Sequence, residues 1–295
     1  MKYALGIDVG GTKIASAIIN ADGRIVDKIQ VASKPENENS MFQQVTLSID
    51  RLMEKSNLTI NQLEGIGVGL PGKVDVENGL AVFQNNLPWR NFPIVEKLSE
   101  YTKVSNIKLD NDVYMACFAE WQAHDPKEKE VFVYITVSTG IACSIIHNGE
   151  FIRGSGFAGE LGLFPVQTSI KGTEMERLEF LSSGSAIQKR INNKLETRQI
   201  FDKYHHGDND TIKMVDTAIH SLAHGLYSIC CLLDPHKVVF GGSVMNYQPF
   251  VVEKLKEYLQ DYLTLEQEDF VNRIYLSKHR GDAGVLGAGM KVLDL

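Results

Sequence analysis

The first apolar block, Tyr3 to Val9, is interrupted only by Gly6 and Asp8. Such a run predicts a buried β-strand. A second block, Ile14 to Ile19, predicts its antiparallel partner, with Gly10, Gly11, Thr12 and Lys13 forming the bend. Asn20-Ala21-Asp22-Gly23 is a turn signal, and Arg24 to Ala32 fits a third antiparallel strand. The period then changes. Phe42, Val45, Ile49 and Leu52 recur at helical spacing within Met41 to Glu54. Gly65 to Leu70 predicts a short buried strand stopping at Pro71-Gly72. Ile94 to Tyr101 predicts a helix, Ile107 to Leu109 a strand ending in Asp110-Asn111-Asp112, and Val113 to His124 another helix. Asp125 to Glu130 is polar and predicts a linker.

The opening pattern then returns. Val131 to Gly154 again gives an apolar strand, a Gly/Thr bend, a second strand, a glycine turn at Asn148-Gly149 and a further strand. Lys13 to Ile19, KIASAII, lies over Gly140 to Ile146, GIACSII. The agreement of the flanking turns marks an internal duplication of one strand meander. Beyond it the chain is more helical: Leu178 to Leu195, Asp210 to Leu233, Phe250 to Tyr262 and Asp282 to Val292, with short strands at Lys237 to Phe240 and Ile274 to Ser277. His205 to Asp210 fits a polar loop, and the first of these short strands runs into Gly241-Gly242.

Composition narrows the classes. With 295 residues, 43% hydrophobic and 23% charged, the chain can bury a large core and has the length for two domains. A net charge of −7 and the lack of a basic run argue against a nucleic-acid surface. Cys117, Cys143, Cys230 and Cys231 form neither CxxC nor CxC, as expected of reduced thiols. Asp8 interrupts the apolar start too early for a secretory leader, and no apolar run has the ~18 residues a membrane helix needs. The expectation is a cytoplasmic protein with no membrane partner.

The two glycine bends suggest chemistry. Glycine lets backbone N–H groups converge on an anion, and Thr12 and Thr139 add hydroxyl donors. Lys13 charges the first bend only; a solvated strand-edge lysine is the alternative reading. Bends from duplicated halves could grip a polyphosphate from both sides, with Asp8 placed for a hydrated Mg²⁺ on those phosphates. One glycine motif alone would be only a turn. The duplication and the further turn at Gly241-Gly242 favour the phosphate reading. Asp112, at a strand-to-helix junction, suits a helix cap on position alone.

DVGGTK (Asp8 to Lys13), the NDV stretch at Asn111, the STG bend at Ser138, GELG, LEFLSSGSAI and LDPHKVVFGGSV together resemble the ROK family of repressors and sugar kinases, over essentially the whole chain and in the family's motif order. The resemblance implies an α/β fold of two actin/hexokinase-like (ribonuclease H-like) domains around an ATP cleft. The expected division is 1–115 with 281–295, and 116–280, the last helix returning to the N-terminal domain. The implied activity is transfer of the ATP γ-phosphoryl to a sugar hydroxyl, usually the 6-OH of a hexose, with Mg²⁺, in a homodimer. By resemblance Asp112 is the general base. Asn111, Gly72, Asn86, Glu160 and Glu179 contact the sugar, with turn residues as the bland alternative for Gly72 and Asn86. Gly10, Gly11, Thr12, Thr139 and Gly140 meet the phosphates, and Gly241 and Gly242 lie by the adenosine.

Three departures bear on substrate. Many members bind a structural zinc through three cysteines and a histidine, whereas Gln167 to Leu178 holds neither residue type, so no zinc is expected. The histidine that usually follows Glu-x-Gly is Leu163 here. The second bend, Ser138 to Ser144, is poorer in glycine than usual. An apolar wall discriminates weakly against substituents. A glucose-type hexose or β-glucoside is therefore expected first and N-acetylmannosamine second. Two other classes compete. A sugar-binding repressor would carry a helix-turn-helix ahead of a first hairpin that here reaches its bend just after residue 8. An actin-like ATPase would share the fold without a sugar site.

Overall fold

Two five-stranded sheets carry the fold. The computed structural model describes every residue except Met1, Asn85, 169–173 and 192–194. The first sheet and its surroundings come from β1 (Tyr3–Val9), β2 (Lys13–Asn20), β3 (Ile25–Ala32), α1 (Glu38–Lys55), β4 (Ile66–Leu70), β5 (Lys73–Asp75), β6 (Leu80–Phe83), β7 (Arg90–Phe92), α2 (Ile94–Thr102), β8 (Ile107–Asn111) and α3 (Asp112–Ala123). The second comes from β9 (Val131–Val137), β10 (Ile141–His147), β11 (Glu150–Phe151), β12 (Pro165–Gln167), β13 (Met175–Arg177), α4 (Leu178–Ser182), α5 (Gly184–Arg190), α6 (Thr197–His205), α7 (Asn209–Leu233), β14 (Lys237–Gly241), α8 (Ser243–Tyr247), α9 (Phe250–Gln260) and β15 (Ile274–Leu276). A last helix is α10 (Ala283–Val292).

The strand orders are β3-β2-β1-β4-β8 and β11-β10-β9-β14-β15, so the duplication seen in sequence is a duplication of topology. In each sheet an antiparallel hairpin is extended by parallel strands. The hairpins close at Val9↔Ile14 and Val137↔Ile141, the register implied by aligning KIASAII with GIACSII.

Met1–Asp125 with Asp282–Leu295 form one unit, and Pro126–Gly281 the other. The sequence division at 115/116 would cut α3, which packs along its length on α10 and so stays with the first unit. β1 is apolar on both faces because both are covered. Leu5, Ile7 and Val9 join Met41, Val45, Ile49 and Leu52 of α1 in one core. The opposite face takes α10 at such short range that a Cβ on Gly67 would stand 1.8 Å from the Ala288 carbonyl oxygen. In the second unit Val133, Ile135 and Phe240 pack with Leu222 and Leu226 of α7 and Leu255 of α9. Each of these buried side chains contributes ~1.5–3 kcal/mol of transfer free energy.

The structure corrects the reading of Leu178 to Leu195 as one helix. Ser183 ends α4 and caps α5, its hydroxyl accepting from the Ala186 N–H at 3.1 Å. Residues 192–194 lie outside the described residues, and α6 was not anticipated. The short sheets β5-β6-β7 and β12-β13 were also unforeseen. Among the described residues no helix is long and apolar enough to cross a membrane.

Candidate active site

In the first unit, the ends of three parallel strands collect the predicted residues. β1, β4 and β8 are neighbours, with Asp8↔Gly69 and Leu70↔Asn111 in register, so Asp8, Gly72, Asn111 and Asp112 gather at their carboxyl ends. Open α/β sheets bind ligands at such ends. Asn111, not Asp112, is the N-cap of α3: its Oδ1 accepts from the Val113 N–H at 2.9 Å. Asp112 is then the first helical residue, half-buried, and its Oδ1 shares the Val113 N–H at 2.9 Å. The Asn111 carboxamide donates to the Gly72 carbonyl at 2.9 Å. One lone pair and one N–H remain on it for a ligand.

Both acids hold protons more tightly than an ordinary carboxylate. Burial pushes Asp112 up to about 6, against hydrogen bonds from the Val113 N–H and its own. Burial pushes Asp8 up to about 7, the charge of Asp112 adds to this, and Lys13 and Lys28 oppose it. Asp8 lies against the start of α10, where a Cβ on Gly284 would come within 2.8 Å of its Oδ2. Lys28 is in turn paired with Asp282.

The first bend is braced from below. Gly10 N–H donates to the Lys13 carbonyl (2.9 Å), Ser33 Oγ donates to the Gly10 carbonyl (2.6 Å) and Ser33 N–H to that of Thr12 (3.0 Å). The Gly11 and Thr12 N–H groups make no hydrogen bond among the described residues. Gly11 is glycine for space, because a Cβ there would sit 2.8 Å from that of the exposed Asn86. Lys13 is exposed at the start of β2, which is an interior strand of the sheet.

The second unit repeats the device with other parts. Ser138 N–H donates to the Gly140 carbonyl (2.9 Å), Gly184 N–H to that of Ser138 (2.7 Å) and Ser185 Oγ to that of Thr139 (2.6 Å). The Thr139 and Gly140 N–H groups make none among the described residues. With two successive amides open in each, Gly11 and Thr12 in the first and Thr139 and Gly140 in the second, each bend is suited to an anion. Glu179 lies behind the second: its Oε2 accepts from the Ile141 N–H at 3.0 Å, and a Cβ on Gly140 would stand 2.5 Å from that oxygen. Glu160 is exposed yet holds its proton above the usual carboxylate range, through partial burial and then the charge of Glu179. The two glutamates are thus neighbours. Gly242, at φ +87°, brings β14 against β9; a Cβ there would be 2.4 Å from the Val137 carbonyl oxygen. Gly241 abuts the Tyr134 hydroxyl.

The sequence reading missed Ser33, Ser183 and Ser185 as braces, Gly284 beside Asp8, and Gln84. A Ser-Ser-Gly run inside an apolar helix pattern was the one available signal. Part of the stretch examined for zinc ligands, 169–173, lies outside the described residues.

A family profile described as the ROK family matches residues 4–294. A glucokinase of Halalkalibacterium halodurans is 26% identical, covering 99% of this chain and 95% of its own. An N-acetylmannosamine kinase of Haemophilus influenzae is 29% identical, with 99% and 95% covered. The crystal structure of a ROK hexokinase from Thermus thermophilus superposes with a TM-score of 0.76 at 28% identity, covering 99% of this chain and 100% of that one. With the profile spanning almost every residue and the α/β architecture shared, the chain belongs to the ROK family and has the actin/hexokinase-like fold of its sugar kinases.

Proposed function

We propose that this protein is an ATP-dependent sugar kinase that phosphorylates the 6-OH of a glucose-type hexose or β-glucoside. The observation that carries the reading is Asp112, a half-buried carboxylate at the carboxyl end of β8, one residue past the N-cap Asn111 and pushed up to about 6. A carboxylate in that range is ionised at neutral pH and a better proton acceptor than a free one. Phosphoryl transfer asks of a protein mainly positioning and charge neutralisation. Asp112 takes the proton of the attacking hydroxyl. Asn111, Gly72, Asn86, Glu160 and Glu179 hold the sugar, each carboxylate accepting from its hydroxyls. The open amides of Gly11, Thr12, Thr139 and Gly140 hold phosphate oxygens, Gly10 meets the phosphates through its Cα side because its own N–H is held by the Lys13 carbonyl, Lys13 adds charge, and Gly241 and Gly242 lie by the adenosine.

Asp8 offers a hard oxygen donor for a hydrated Mg²⁺ on the phosphates, and burial followed by the charge of Asp112 gives it reason to welcome a cation. When bound, that ion neutralises phosphate charge. No structural zinc is proposed, and the family resemblance supports a cytoplasmic homodimer. Leu163, 46% exposed in the turn after Glu160, favours tolerance of substituents.

Asp112→Asn tests this. Turnover should fall ~10²–10⁴-fold while the sugar KM stays within a few-fold. Full activity in the variant would remove the reading. ADP release without sugar, unaffected by Asp112→Asn, would point instead to an actin-like ATPase. N-acetylmannosamine is the second substrate reading, supported by the likeness to the Haemophilus enzyme. A coupled assay across glucose, cellobiose, N-acetylglucosamine and N-acetylmannosamine separates the two.

A further inference from the structure

Gln84 is fully buried, yet its Oε1 has no hydrogen-bond partner among the described residues. An orphaned buried acceptor costs about what a lost hydrogen bond costs and calls for an explanation. The other end of the same carboxamide suggests one. Its Nε2 donates to the Lys73 carbonyl at 3.1 Å. The preceding residue, Gly72, sits at φ +78°, and a Cβ there would be 2.4 Å from the Phe83 carbonyl oxygen and 3.1 Å from the Gln84 Cα. The Gly72 carbonyl accepts from Asn111 Nδ2 at 2.9 Å, and Asn111 Oδ1 fixes the Val113 N–H at the start of α3. Residues 72–73 are therefore clamped between Gln84 on one side and Asn111 on the other. Arg90 braces the clamp, Nη1 donating to the Gln84 carbonyl at 3.1 Å. Each link is short, and the last one sets where the first residue of α3 stands.

We propose that Gln84 is a positioning residue for Asp112, acting through Lys73, Gly72 and Asn111. This rests on Asp112 being the base. A residue kept for packing alone would serve as well with an apolar side chain of the same length, whereas a clamp needs the amide donor. Gln84 is thus a site where stability is given up for geometry.

The test is Gln84→Met, which keeps the length and removes both the donor and the orphaned acceptor, measured beside Asp112→Asn in the full chain. The expected result is a melting temperature equal to or above the parent's, a sugar KM within threefold, and a kcat lower by about 10- to 100-fold, as misplacement by about an ångström produces. Gln84→Glu, which keeps the length but offers a carboxylate to the Lys73 carbonyl, should lose kcat at least as far. An unchanged kcat in Gln84→Met overturns the proposal. So does a kcat loss that comes with a fall in melting temperature and a sugar KM raised beyond threefold, because that is the signature of packing. If Asp112→Asn keeps full activity, the base assignment fails first and the proposal with it. If Asp112→Asn collapses and Gln84→Met does not, only the proposal fails.

Discussion

The two duplicated hairpins keep the same frame and divide the charge unequally. In the first, Asp8 pairs across to Ala15 on one side and Gly69 on the other. In the second, the equivalent Thr136 pairs with Ala142 and Gly241. Small partners flank the position in both sheets, so the space beside it survived duplication. The carboxylate stands in one copy only. The bends diverge likewise: Gly10 to Lys13 is one residue longer and ends in a cation, while Ser138 to Gly140 is uncharged and backed by Glu179. Backbone geometry that presents amides is common to both halves. The charges carried on the strand and bend themselves, Asp8 and Lys13, belong to the first half, whereas the second bend is neutral and its charge stands behind it on Glu179.

That contrast can be broken most forcefully at its centre. Asp8→Asn should lower kcat by at least ~10²-fold, whereas Thr136→Val should change it less than fivefold. Equal losses in ATP-coupled assays would mean that both halves carry the ionic role. Next in size, Gly140→Ala should raise the ATP KM by about tenfold or more, since its methyl must displace the Glu179 carboxylate. Gly11→Ala, which meets the Asn86 side chain, should do the same by a different contact.

A smaller effect is on stability. Asp8 has a folded-state value near 7 and an unfolded one near 3.8, so the native state binds the extra proton between them. Stability from this group is full below about pH 4 and is lost as pH rises toward 7. Asp8→Asn should therefore melt about 5–10 °C higher than the parent at pH 7.5, the gap closing toward pH 4, in scans without divalent cation. Smallest, Ser33→Ala and Ser185→Ala each remove one brace and should each cost ~1 kcal/mol in denaturant titrations. Unequal costs would show that the bends are not supported alike.

Much of this was legible before any coordinates. β1 and β2 announce themselves by continuous apolar runs around a glycine bend, and β10 of the second copy can be aligned on β2 residue for residue. Asn111 and Asp112 were visible at a strand-to-helix junction, although which one caps the helix depends on backbone angles no spacing encodes. The three strands at Lys73–Asp75, Leu80–Phe83 and Arg90–Phe92 are too short for period 2 to emerge. Leu178 to Leu195 kept a helical stripe through a serine that ends one helix and caps the next. Gln84 was invisible for another reason: nothing in a polar Gln-Asn-Asn run says that its first member is buried. Gly284 reaches Asp8 only because α10 returns across the whole chain.

That return has a consequence for how the protein is made. The strands beneath α10 emerge from the ribosome early, but the helix that covers them follows the entire second unit. At ~5–20 residues per second, the growing chain holds Gly6, Gly67 and the flank of Asp8 uncovered for an interval on the order of ten seconds or more. The half that carries Asp8 and Lys13 is thus begun first and finished last, and an interrupted translation product would hold Asp8 without the helix that shields it.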